Sequence, residues 1–241
     1  GSFIGGGGMD SILMTPGNTA GGRKTAIVGG TGNTTSGNYS FVGGGQSNTA
    51  SAANSTVGGG DSNQASSDYA TVAGGQSNRA MTNTHAAVGG GQGNTASGQW
   101  AFVGGGQTNT NSGVYSFIGA GQTNTVNSDY SFIGSGFSNQ TDGQNSVVVS
   151  GTDNTASGGN AFIGTGVGNI ASGAYSFIGN GYTNTASGLY SVVLGGWSNS
   201  VTGDFSVAGG RYMQLSGTAD RTFVWGYSTV PVDITAADAF I

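Results

Sequence analysis

Ser116-Phe-Ile-Gly-Ala-Gly-Gln-Thr-Asn-Thr-Val-Asn-Ser-Asp-Tyr130 is followed at once by Ser131-Phe-Ile-Gly-Ser-Gly-Phe-Ser-Asn-Gln-Thr-Asp-Gly-Gln-Asn145. The second block repeats the pattern of the first fifteen positions on. Asn124 belongs to a series of thirteen: Asn18, Asn33, Asn48, Asn63, Asn78, Asn94, Asn109, Asn124, Asn139, Asn154, Asn169, Asn184 and Asn199. Their spacing is 15, with a single interval of 16 between Asn78 and Asn94. Self-similarity at a short fixed period means one small structural unit stacked on itself many times. Such a stack is quasi-one-dimensional.

With the Ser116 block numbered 1 to 15, position 3 carries Val or Ile in twelve of thirteen rungs, from Ile27 to Val193, and Ala208 in the last. A β-branched column predicts a strand. Position 1 is nearly always Ser or Ala and shares a face with position 3, because strand side chains alternate. That face fits a narrow interior. Positions 15 and 2 fall on the opposite face by the same alternation, and they are aromatic. Tyr39, Trp100, Tyr115, Tyr130, Tyr175 and Tyr190 stand at position 15, and Phe41, Phe102, Phe117, Phe132, Phe162 and Phe177 at position 2. A strand apolar on both faces must be covered on both, and a fifteen-residue turn cannot hold a ring inside as well. These twelve residues are therefore the candidate interface between chains.

The remaining positions are corners. Position 6 is Gly from Gly30 to Gly196 and Arg211 in the last rung, which predicts a stacked series of tight turns at φ > 0. The Asn at position 9 is expected at a second corner, since Asn tolerates the left-handed region, and its amides at one-rung spacing would bond in a ladder. Thr-Ala-Ser at positions 10 to 12, as in Thr95-Ala96-Ser97, forms a second short strand with Ala inward. Thirteen rungs at ~4.8 Å give a rod of about 60 Å.

Composition narrows the function classes. Gly is 51 of 241 residues with only 2 Pro, which excludes collagen. Nine Tyr, 11 Phe and 3 Trp argue against disorder. Charged residues are 6% and Lys+Arg number 5, so no basic face for nucleic acid is expected. No segment has the ~18 continuous apolar residues of a membrane span, and no direct membrane insertion is expected. The absence of Cys rules out a disulfide scaffold. Few Lys, no Cys and abundant Ser, Thr and Asn suggest an extracellular surface.

Ser116-Phe-Ile-Gly, Ser131-Phe-Ile-Gly, Ala161-Phe-Ile-Gly and Ser176-Phe-Ile-Gly, followed by Ala-Ser-Gly as at Ala186-Ser187-Gly188, resemble the head repeats of YadA-like trimeric autotransporter adhesins. The resemblance implies a left-handed parallel β-roll, three chains side by side, and attachment as the role. The present repeat is longer by a residue, has an extra Gly and the Asn corner, and is more aromatic. Such arrays are also similar to shafts of phage tail fibres. The expectation is thus an all-β solenoid of 15-residue rungs forming a homotrimeric fibre. Residues 1–24 would form a partial rung with an inserted capping loop (Met9, Ile12, Leu13, Met14). Residues 25–217 would form the array, and 218–241 a junction toward a stalk or chaperone region.

The function expected is surface attachment or recognition of a host, prey or receptor, with a glycan or cell-surface receptor as partner. The rivals are an ice-binding β-solenoid presenting Thr columns and a tail-fibre shaft with glycan-related activity. No enzyme and no cofactor are expected. A hydrolase would need a nucleophile, base and orienting acid together, and nothing in sequence pairs with the lone His85. In a trimer, three copies of His85 near the axis would offer an ion site.

Overall fold

The computed structural model describes residues 1–7 and 17–241; the segment with Met9, Ile12, Leu13 and Met14 lies outside the described residues. The chain is an all-β parallel solenoid of about 14 turns, with no helix among the described residues. It divides into two compact units, Gly1–Gln122 and Thr123–Ile241.

Both units are built from two-residue strands that pair in parallel with their counterparts one turn away. In the first unit Val88 pairs with Val72 and Val103, and Val103 with Ile118. In the second, Ile133 pairs with Val148, Val148 with Ile163 and Ile163 with Ile178. The Val/Ile side chains are buried outright, as are the inward Ala of the second ladder, such as Ala80 and Ala96 in the first unit and Ala156 and Ala186 in the second. Complete burial of one Val or Ile stabilises by about 1.5–3 kcal/mol, and each turn from Ile27 to Val193 contributes one. The narrow interior expected from position 3 is therefore present.

A third ladder was not foreseen. Position 7 makes one-residue parallel bridges, Gln46 to Asp61, Gln76, Gln92 and Gln107 in the first unit, and Phe137 to Thr152, Val167, Tyr182 and Trp197 in the second. Three ladders fit because each is flanked by a residue in the left-handed region. In one turn these are Gly45 (φ 91°), Ser47 (φ 55°) and Asn54 (φ 58°). Left-handed φ reverses the chain in a single residue, so corners take up little sequence.

Two local expectations are corrected. The left-handed residue at the second corner is position 8, such as Ser47, Ser62 or Thr183, and not the Asn that follows it. Asn is needed for its amide, which turns inward and is completely buried. Asn63 Nδ2 donates to the Gly59 and Gly75 carbonyls at 2.9 and 2.7 Å, while Oδ1 accepts from the Asn78 N–H at 3.0 Å. Asn169 does the same in the second unit, donating to Gly181 at 3.0 Å and accepting from Asn184 N–H at 3.0 Å. The amide thus satisfies backbone groups at the corner that would otherwise be buried without partners.

Arg211 does not occupy the glycine corner of the last repeat. A register shift after Val193 pairs Gly196 with Gly210, which has φ 104° and takes the corner. Arg211 moves outward to stack beside Trp197. The strands then lengthen to Val207–Leu215 and Phe223–Ile234, which stay paired in parallel. Residues 218–241 thus extend the ladders of the second unit although their sequence has left the period.

Candidate functional site

The aromatic residues singled out above do lie on the outside, but not all by strand alternation. Position 2 behaves as expected: Phe102 and Phe117 are strand residues, 36% and 38% exposed, beside buried Val103 and Ile118. Phe41, Phe132 and Phe177 are similar, and Phe162 is half-buried. Position 15 is a turn. Tyr39, Trp100, Tyr115, Tyr130, Tyr175 and Tyr190 all have φ between 51° and 60°. Their side chains point out because a left-handed residue at this corner carries its Cβ away from the turn.

Such a conformation costs roughly 1–2 kcal/mol for a non-glycine residue. Part of that is offset by main-chain bonds to the preceding turn, with Tyr175 N–H donating to Gly159 O at 2.8 Å and Tyr39 N–H to Arg23 O at 2.9 Å. Ring stacking supplies more. In the second unit Tyr175 stacks on Tyr190 at 4.7 Å and Tyr190 on Phe205 at 5.2 Å, and Phe162 on Phe177 at 5.2 Å. In the first, Phe102 stacks on Phe117 at 5.4 Å and Trp100 on Tyr115 at 6.2 Å. Stacked pairs contribute about 0.5–1.5 kcal/mol beyond burial. The rings line up along each unit but still leave about half of each Tyr open, as at Tyr115, 55% exposed.

His85 is part of the same column. It lies 4.8 Å from Tyr69 and 3.7 Å from Trp100, nearly parallel to both. The extra residue between Asn78 and Asn94 is absorbed just before it, where Thr82 adopts φ 75° and Asn83 Nδ2 donates to Ser97 O at 2.9 Å. The one-residue insertion thus leaves the stack continuous. Among the described residues no group of three or more His, Cys, Asp or Glu could hold a metal, and no pocket is present. No helix of the described residues is long and apolar enough to cross a membrane.

The third ladder adds a column that the strand argument passed over. In the first unit it is polar: Gln92 Nε2 donates to Gln76 Oε1 at 3.3 Å and Gln107 Nε2 to Gln92 Oε1 at 3.4 Å. In the second it is apolar and open except at Thr152, with Phe137 45%, Tyr182 48% and Trp197 47% exposed. Tyr182 meets Trp197 edge to face at 5.4 Å, and the Arg211 guanidinium lies 4.9 Å from Trp197 and 5.5 Å from Tyr227. Reading position 7 down the repeats would have revealed this column, since its period is the same. It was missed because a single-residue ladder has no alternation to betray it.

No protein-family model matches the chain, and no curated protein matches it.

Proposed function

We propose that the chain is a segment of a homotrimeric extracellular fibre that serves attachment or recognition, three 15-residue-rung solenoids lying side by side. The observation that carries this reading is the pair of outward aromatic columns at positions 15 and 2. Monomers rarely expose contiguous apolar patches beyond a few hundred Å². Within each unit rings stand on consecutive turns, as Phe102 and Phe117 or Tyr175 and Tyr190 do, so several partly exposed rings are contiguous. The left-handed parallel β-roll and the adhesin-like role follow from the resemblance of Ser116-Phe-Ile-Gly and its repeats to trimeric adhesin heads. The outer polar surface, with Thr and Ser flanking the second ladder, is the face offered to a glycan or cell-surface receptor.

The ice-binding reading has weaker support. Thr19, Thr34 and Thr49 form a regular run on the second ladder of the first unit, but Gln64 and Arg79 follow them in register. A flat uninterrupted array is what such recognition requires.

The deciding measurement is the solution mass by light scattering after size exclusion. A mass near three times the 23.5 kDa chain is expected. A stable single-chain mass at micromolar concentration would overturn the fibre reading, because the aromatic columns would then be stable in water.

A further inference from the structure

A ring of three identical chains cannot be closed by one self-complementary patch. It needs two different faces on every chain, each meeting the other face of the next copy. The aromatic columns at positions 15 and 2 supply one face. The second unit supplies the other: we infer that its third-ladder column, Phe137, Val167, Tyr182 and Trp197, is the surface on which the position-2 face of the neighbouring copy docks. This inference rests on the trimer reading and assigns its two halves.

Three observations carry it. The first is placement. The ladder of Phe162–Ile163 and the bridge of Val167 are separated only by the corner Gly164-Thr165-Gly166. The two faces thus adjoin along one edge, as faces meeting at a three-fold axis must. That edge is rich in glycine, with Val149, Asn180 and Leu194 as its larger residues. Gly151, Gly166 and Gly181 sit there at φ 109° to 119°, and Ser150 and Thr165 beside them are joined by a 3.2 Å hydrogen bond. Where Gly164, Gly166, Gly179 and Gly181 stand, the edges can approach an axis closely.

The second is chemistry. The outward residues of both faces in the second unit are uncharged up to Arg211: Phe132, Val147, Phe162, Phe177 and Val192 on one, Phe137, Thr152, Val167, Tyr182 and Trp197 on the other. The cores of protein interfaces are depleted in charge and enriched in Tyr, Trp and Phe, since charges are costly to strip of water.

The third is area. A fully exposed aromatic side chain offers about 150–250 Å²; the position-2 rings are about a third open and the third-ladder rings nearly half. Each face in this unit then presents on the order of 300 Å² of apolar side chain, enough for the apolar core of an interface whose polar rim supplies the rest of the roughly 1,200 Å² at which specific interfaces begin. The matching column of the first unit, with its amides already bonded to one another, offers no such core.

The chain has no cysteine, so site-directed cross-linking is free of background. Packed β faces stand about 10 Å apart, a span that a short bis-maleimide bridges. Phe162→Cys and Val167→Cys are made singly and together, and each preparation is first weighed by light scattering. The double variant is expected to give, on a denaturing gel, a cross-linked series ending at three chains, and each single variant one chain only. Three-chain mass without cross-linking in the double variant, or self-linking of Phe162→Cys alone, would overturn the face assignment while leaving the trimer standing. A single-chain mass for the unaltered protein would remove both. As an independent measurement, Tyr182→Ser with Trp197→Ser should shift the assembly to single-chain mass, and Gln92→Ser with Gln107→Ser should not. Retention of the trimer by the Tyr182/Trp197 variant would also overturn the assignment.

Discussion

Gln46, Gln76, Gln92 and Gln107 in the first unit occupy the same third ladder as Phe137, Val167, Tyr182 and Trp197 in the second. The interiors of the two units do not differ in this way. Val88 and Val103 in one and Val148 and Ile163 in the other are equally buried, and the Asn columns make the same bonds. The corner before the third ladder differs too. The first unit writes it Gly104-Gly105-Gly106, the second Gly164-Thr165-Gly166 or Gly179-Asn180-Gly181. In a solenoid each turn contacts only its neighbours, so the outside can change from turn to turn while the inside repeats. Interior residues are held to one solution by packing; outward ones are free to carry function.

If that separation is right, interior substitutions must cost the same in both units. Ile118→Asp in the first unit and Ile163→Asp in the second each place a carboxylate where the native side chain is completely buried, with no cation nearby. Burying an unpaired charge is among the few changes that cost more than about 4 kcal/mol. Both variants should be unfolded or aggregated by circular dichroism and size exclusion. A folded, soluble Ile163→Asp beside an unfolded Ile118→Asp would show that the two interiors are not equivalent.

The corner glycines sharpen the comparison on a smaller scale. Gly106 has φ 91°, and a Cβ there would run into the Gly121 carbonyl oxygen and stand 2.8 Å from Asn109 Nδ2. Gly166, at φ 117°, meets Gly181 O and Asn169 Nδ2 in the same way. Gly105, one residue earlier, is not at positive φ, and its Cβ would meet only Gly90 O at 4.0 Å. The second unit already carries Ser150, Thr165 and Asn180 at that place. Gly106→Ala and Gly166→Ala should each lose about 3 kcal/mol in urea unfolding, from left-handed strain plus the clash. Gly105→Ala should be neutral or gain roughly 0.4–1 kcal/mol by restricting the unfolded chain. A loss at Gly105 as large as at Gly106 would mean that the unit needs glycine there for something beyond its own fold.

These contrasts also mark what the sequence discloses. The period, the strand at positions 2–3, the inward Ala of the second ladder and the outward Phe of position 2 were all legible, because burial imposes a strict column on each. The glycine corner was legible too, since few residues other than Gly serve at φ near 100°. The Asn column was legible as a ladder but not as an inward one. Its side chain could as well have served a left-handed turn, and only the backbone shows that Ser47 or Thr183 fills that role. Position 15 misled because Tyr and Trp read as strand residues, whereas Tyr115 and Trp100 are held left-handed by the turn and its stacking. The end of the array misled because counting fifteen from Gly196 lands on Arg211, while the strand register slips by one to keep glycine at the corner.

The smallest effect expected concerns a contact at the end of the second unit that has no counterpart among the described residues of the first. Arg221 bonds both oxygens of Asp238, with Nη2 at 2.9 Å from Oδ2, on an exposed surface. The hydrogen bonds from Arg221, and then its charge, hold the Asp238 carboxyl below its ordinary range. A group with a depressed folded pKa adds stability that is present above its unfolded value and is lost as pH falls through the folded one. Asp238→Asn should therefore lower the unfolding midpoint slightly at neutral pH, and the gap from the native protein should close as the solution is acidified below the ordinary carboxylate range. Added salt should narrow it as well, since exposed pairs are screened. Thermal unfolding of the two proteins in parallel across pH reads this directly. A gap that persists in acid would mean that Asp238 acts by shape, holding the Phe240 ring 5.0 Å from Phe223, and that the second unit closes its last turn by packing alone.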